Sequence, residues 1–316
     1  MTWPAVLVAG LLVFGVGVAP SAVADTRAAA SCAAATNAGH DVRLNVQYAN
    51  AAGTRIAWAE VGDGKPLLLL NGTGSPMAEW DPALLARLAV DRRVLVFDYP
   101  GLGLSGATPK RMTFSAMSDW TADLINVLGL NSPDVLGWSM GGFIAQQLAI
   151  RHPNSVGRLV LAGTNPGGTR AALGPTWVQE ADSDAEGSVA TYLATNYPRT
   201  TCAQRAGREF VQRLTRAVDS GRYPDESVPA RTYNAMVAAE DPWLESNANK
   251  RSLAKVTAAT LVVTGDEDLI TPPANSRVIA DRIPGAELHL VGGAGHSFLF
   301  QHPARVARIV LDFLNG

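Results

Sequence analysis

Past residue 65 the chain alternates between two hydrophobic patterns. Short unbroken apolar runs recur at PLLLLN (66–71), RVLVFD (93–98), 134–138, 158–162, 260–265 and 287–291. Such runs are too short for buried helices and suit strands covered on both faces. Between them, 114–128, 141–151, 274–283 and 304–314 carry apolar residues at helical spacing, and the second of these stops at His152-Pro153. Strands alternating with helices predict an α/β fold with a mostly parallel central sheet and flanking helices. Ahead of this region, 42–49 and 55–61 read as strands on either side of the turn Ala51-Ala52-Gly53.

The alternation stops between Asn165 and Val256, where helical pieces, aromatics and prolines occur without a convincing strand. This stretch predicts a helical cap (165–256) that divides the α/β core into 41–164 and 257–316. A cap over the carboxyl edge of the sheet would cover the place where α/β ligands bind. Its aromatics, Trp177 and Tyr192 among them, would line a pocket or form the cap's own core.

The N-terminus differs in kind. An apolar run covers 5–19, and Ala22-Val23-Ala24 follows, so a signal peptide is expected at 1–24 with cleavage after Ala24, and with it secretion or residence in the cell envelope. No Lys or Arg precedes the run, and a retained membrane anchor is the alternative. Residues 25–40, rich in Ala, Ser and Thr, read as a tail. In an oxidising compartment Cys32 and Cys202 have only each other to pair with, and lipidation is a rival fate for Cys32. A net charge of −2 without charge runs gives no sign of nucleic-acid binding.

Candidate chemistry centres on Gly137-Trp138-Ser139-Met140-Gly141-Gly142, between a predicted strand and a predicted helix. A serine on such a sharp turn needs small neighbours, and the helix N-terminus behind it favours developing negative charge. A serine hydroxyl also needs a base. His40 falls in the tail, His152 at the far end of the helix, His289 within a strand and His302 at a helix start. His296 alone sits in a Gly-rich loop at the strand edge where Ser139 emerges. A carboxylate to orient it is offered by Asp268 or Asp266, after the penultimate strand. Met140 N–H and Thr73 N–H, the latter in Asn71-Gly72-Thr73-Gly74, are the candidate oxyanion donors. The idle alternative is a structural Gly-rich turn with an unused serine.

Together these residues resemble the α/β-hydrolase superfamily, over roughly 41–316, and particularly its small cap-bearing serine hydrolases. Asp98-Tyr99-Pro100-Gly101-Leu102-Gly103-Leu104-Ser105 is similar to a structural turn of that family. Gly265-x-x-Asp268 is similar to its acid-bearing loop, which favours Asp268 over Asp266. Many relatives have His-Gly where this chain has Asn71-Gly72, and the elbow serine separates it from dehalogenases and epoxide hydrolases, which use aspartate. The resemblance implies ester hydrolysis through an acyl-enzyme, on a small-molecule substrate and without cofactor or metal. C–C bond hydrolysis and cofactor-free perhydrolysis of the haloperoxidase-like kind use the same residues. A ligand-binding protein on a hydrolase scaffold is the alternative outside enzymes.

Overall fold

The computed structural model describes residues 42–108, 111–184 and 187–316. The expected leader, tail and Cys32 lie outside the described residues. Cys202 is disulfide-bonded.

Eight strands form one sheet: β1 (Gln47–Ala51), β2 (Thr54–Val61), β3 (Lys65–Leu70), β4 (Arg92–Phe97), β5 (Asp134–Trp138), β6 (Leu159–Ala162), β7 (Thr260–Gly265) and β8 (Glu287–Val291). Their spatial order is β1-β2-β4-β3-β5-β6-β7-β8. The two pairings of β2 are antiparallel, and every other neighbouring pair is parallel. The mostly parallel α/β arrangement matches the expectation. Leu67 to Leu70 on β3 are fully buried, as is all of β5, which is why these strands read as continuous apolar runs rather than alternating ones.

One strand begins later than expected. Residues 42–46 alternate in polarity but lie outside the sheet; Leu44 N–H donates to Arg222 O at 2.9 Å, and Val42 and Leu44 are buried. Alternation marks one apolar face, and here that face is covered without a sheet partner.

Helices pack on the sheet, among them Phe114–Val127, Met140–Arg151, Pro273–Arg282 and Pro303–Asn315, each close to its expected bounds. Between β6 and β7 lie the helices Thr176–Asp182, Val189–Asn196, Thr201–Asp219, Ala230–Val237, Glu240–Glu245 and Ala248–Ser252, with no strand among the described residues of that stretch.

A buried ion pair fastens these inserted helices to the core. Arg213 of Thr201–Asp219 donates from Nε to Asp81 Oδ1 (2.8 Å) and from Nη2 to Asp81 Oδ2 (2.6 Å), and Nη2 also reaches Phe300 O at 3.3 Å. Asp81 is also the N-cap of helix Pro82–Leu88, accepting from Ala83 N at 2.9 Å. Its side chain is inaccessible to solvent. Arg213→Ala strands this carboxylate without its counter-ion and is expected to cost about 3–5 kcal/mol, measured by urea unfolding.

Candidate active site

Ser139 follows the last residue of β5 and caps the helix Met140–Arg151 with φ 55° and ψ −122°. Few non-glycine residues adopt such a backbone, and it holds the side chain away from both strand and helix. The flanking glycines make the turn sterically feasible. A Cβ on Gly137 would overlap the Gly141 carbonyl, and one on Gly141 would overlap the carbonyls of Leu70 and Asn71. Gly141→Ala is therefore expected to destabilise the fold by about 3 kcal/mol, visible as a lowered Tm. The turn is held by Ser139 N–H to Ala162 O (3.0 Å), Gly142 N–H to Ser139 O (2.8 Å) and the Thr164 hydroxyl to Ser139 O (2.9 Å).

His296 lies in the loop after β8, between Gly295 and the helix Phe298–Gln301. Gln301 braces the loop, accepting from Gly295 N and donating to Gly293 O. Trp138 Nε1 donates to His296 O at 3.2 Å, which ties the base's backbone to the nucleophile's neighbour. The imidazole is buried, and its Nδ1 meets Asp268 Oδ2 at 2.9 Å. Of the two candidate acids, Asp268 is thus the one beside His296. Asp266 instead accepts from Gly293 N at 2.7 Å and braces the loop.

Asp268 is immobilised from several sides. Its Oδ1 accepts from the backbone of Ile270 (2.9 Å) and Thr271 (2.8 Å), and its Oδ2 accepts from the hydroxyls of Thr271 (2.9 Å) and Thr264 (3.3 Å). Thr271, whose hydroxyl is also 3.3 Å from His296 Nδ1, escaped sequence reasoning. Its only signal is the third position after an acid in a loop, a common side-chain turn. Burial pushes the His296 imidazolium down, but the Asp268 carboxylate, with Asp182 and Glu240 behind it, outweighs burial and raises its pKa above the ordinary histidine value.

Ser139 and His296 line one cavity with Gly72 and Thr73. Its open volume is about 70 Å³. Gly72 approaches the elbow so closely that a Cβ there would lie 3.5 Å from Ser139 Cβ. Thr73 lines the cavity with Ser139, and Met140 follows Ser139 as the first residue of the helix. A second lobe, also lined by Ser139 and Thr73, runs toward Phe143, Val178 and Leu244. The inserted helices supply Asp182 to both lobes, Tyr192 and Phe210 to the first and Glu240 to the second.

The other histidines are elsewhere. His152 pairs with Asp119 at 2.7 Å, His289 is on β8, His302 caps a helix and His40 lies outside the described residues. The turn beginning at Asp98 is structural: Asp98 accepts from Met77 N (2.7 Å) and Leu104 N (2.9 Å), and the Ser105 hydroxyl donates to Asp98 O.

The fold that carries this elbow has counterparts among known proteins. The model of the alpha/beta hydrolase fold family matches residues 65–303. The chain belongs to that family. Among curated relatives of this α/β-hydrolase, a poly(3-hydroxyalkanoate) depolymerase of Ectopseudomonas oleovorans is 29% identical over 262 residues, covering 79% of this chain and 84% of that protein. A 2-hydroxymuconate semialdehyde hydrolase of Pseudomonas putida is 32% identical over 275 residues, covering 84% and 92%. Among solved structures, an alpha/beta hydrolase fold protein from Chitinophaga pinensis superposes with a TM-score of 0.77 at 25% identity, covering 89% of this α/β-hydrolase and 100% of that chain.

Proposed function

We propose that this α/β-hydrolase cleaves carboxylic esters through an acyl-enzyme on Ser139. The observation that carries the reading is the opening of Ser139, on its positive-φ turn, into the same cavity as a buried histidine bonded to Asp268. His296 takes the serine proton as Oγ attacks the ester carbonyl, and Asp268 holds the imidazole in the tautomer that leaves Nε2 free to accept. The backbone N–H groups of Met140 and Thr73 receive the oxyanion. Collapse breaks the ester C–O bond and His296 delivers the proton to the departing alcohol. Water then repeats the sequence, freeing the carboxylic acid and restoring Ser139. The inserted helices act as a cap that walls the cavity above the nucleophile.

Identity to a 2-hydroxymuconate semialdehyde hydrolase favours a second reading, in which the same residues cleave a C–C bond. Export is part of the proposal, resting on the leader-like run at 5–24, and the oxidised state of Cys202 fits it.

Purified protein is expected to hydrolyse p-nitrophenyl acetate and to be labelled by a fluorophosphonate at Ser139. Absence of both refutes the ester reading, and faster turnover of a dienoate diketone than of any ester transfers the proposal to C–C hydrolysis.

A further inference from the structure

The two lobes that meet at Ser139 are lined by carboxyl groups without compensation. Glu79, Asp182 and Asp184 face the first lobe, and Glu180, Asp182, Glu240 and Asp241 the second. Among the described residues, no Lys or Arg lines either lobe. Elsewhere two buried carboxylates are paired with cations, Asp81 with Arg213 and Asp134 with Lys65, and Asp98 shares a hydrogen bond with the Glu226 carboxyl.

Glu79 is the most telling of them. It ends the short turn Met77–Glu79, whose backbone is pinned by Asp98 at Met77 N and by Glu226 at Ala78 N (2.9 Å). The turn cannot swing to carry its side chain to water. Glu79 Oε1 is buried and has no hydrogen-bond partner. A buried acceptor in that condition is a standing cost that a donor on a ligand would relieve. The rest of the lobe is aromatic: Trp138, Tyr192, Phe210 and Phe300 supply apolar walls and ring faces that attract a cation.

We propose that the substrates are esters carrying a primary ammonium group, received by Glu79 in the aromatic lobe beside Ser139. This rests on the ester-hydrolase reading and deepens it. An ammonium supplies both what Glu79 lacks, a donor and a positive charge. A carboxylate-bearing substrate would meet carboxyl groups and no cation, which sets this site apart from one built for acidic dienoates.

Burial raises the Glu79 carboxyl to about 8, with the Ser75 hydroxyl offsetting part of the effect. The titratable groups that face Glu79 or share its lobe are Asp182, Asp184, Tyr192, Tyr233, His296 and Glu226. Burial lifts both phenols above their usual range, and burial with the adjacent Asp98 keeps Glu226 protonated at neutral pH. Ammonium binding must ionise Glu79, so it strengthens as pH rises through about 8.

Calorimetric titration with n-hexylammonium, 1-hexanol and hexanoate tests this without requiring turnover, and protection of Ser139 from a fluorophosphonate locates the binding. Hexylammonium is expected to bind about tenfold or more tighter than hexanol, with hexanoate weakest. Its affinity is expected to rise severalfold between about pH 6.5 and about pH 8.5, where the amine stays charged, while that of hexanol stays flat. Glu79→Gln is expected to remove most of the preference for the amine, which separates Glu79 from Glu240, whose carboxyl burial also raises to about 8. If that variant does not fold, the ranking of the three probes on the wild type decides, because His296 and Glu240 also titrate near the pH interval tested. Hexanoate binding as tightly as the amine, a flat pH series, or no amine binding in the millimolar range overturns the proposal. Failure of Ser139 labelling and of acetate turnover refutes the hydrolase reading. Normal labelling with no preference for the amine refutes this inference alone.

Discussion

Ser139→Ala is expected to lower kcat for p-nitrophenyl acetate by about 10⁴-fold or more while leaving the protein folded. The residual rate would come from binding and the oxyanion donors, which the substitution leaves in place. Stopped-flow or plate-based release of p-nitrophenolate measures it, and a loss of only a few-fold would remove Ser139 from the chemistry. A companion variant reads the backbone rather than the hydroxyl. Ser139 holds φ 55°, ψ −122°, a region that a Cβ disfavours by about 1–3 kcal/mol. Ser139→Gly relieves that strain but loosens the unfolded chain by about 0.5–1 kcal/mol. The net expectation is an inactive protein with an unfolding temperature equal to or above that of the wild type. An elbow variant that is inactive yet at least as stable places the cost of this conformation in the service of the reaction.

Asp268→Asn carries the second large effect, in both magnitude and pH. The carboxylate is the chief contributor outweighing burial at His296 and raising its pKa, and activity needs the neutral ring. Wild-type kcat/KM is therefore expected to rise with pH through a limb above the ordinary histidine value of about 6.5. In the Asn variant the limb moves to lower pH and the plateau falls by about 10⁴-fold, because the amide no longer enforces the productive tautomer. The stability contribution runs the other way. A group whose pKa is raised on folding stabilises the native state fully below its unfolded pKa, and the contribution is lost as pH rises through the folded one. The wild type thus gives up the His296–Asp268 ion-pair stabilisation over the same interval in which it gains activity. An acid limb unchanged in Asp268→Asn would contradict the assignment.

Much of this arrangement was written in local pattern. Strands β5, β7 and β8 coincide with their apolar runs; β5 and β7 are buried on both faces, which leaves no room for polar punctuation, whereas β8 is only partly covered. The elbow was legible because Gly137 and Gly141 flank Ser139 in sequence, although the contacts that demand Gly141 come from the distant carbonyls of Leu70 and Asn71. Other features depended on distant partners. Residues 42–46 alternate like a strand, yet their apolar side chains are covered while the sheet begins at Gln47. The helix Pro82–Leu88 was missed although Asp81-Pro82 is a fair start signal, an N-cap acid followed by proline at the first helical position. Glu79 could not be read at all. Nothing near Met77 signals that Asp98 and Glu226 seize its turn from opposite sides, since one partner comes from the end of β4 and the other from beyond the helix Thr201–Asp219.

β6 and β7 are hydrogen-bonded neighbours, yet the chain's longest excursion from the sheet leaves after Ala162 and returns at Thr260. No strand pairing depends on what that excursion contains. Its obligations to the rest of the molecule include the Arg213 grip on Asp81 and the Asn196 carbonyl that receives Ser297 N–H. A lineage could rewrite everything between those fixed points, altering which molecules are admitted, while the reacting groups inherit an undisturbed scaffold. Diet and chemistry are thereby encoded on largely separate stretches of one gene.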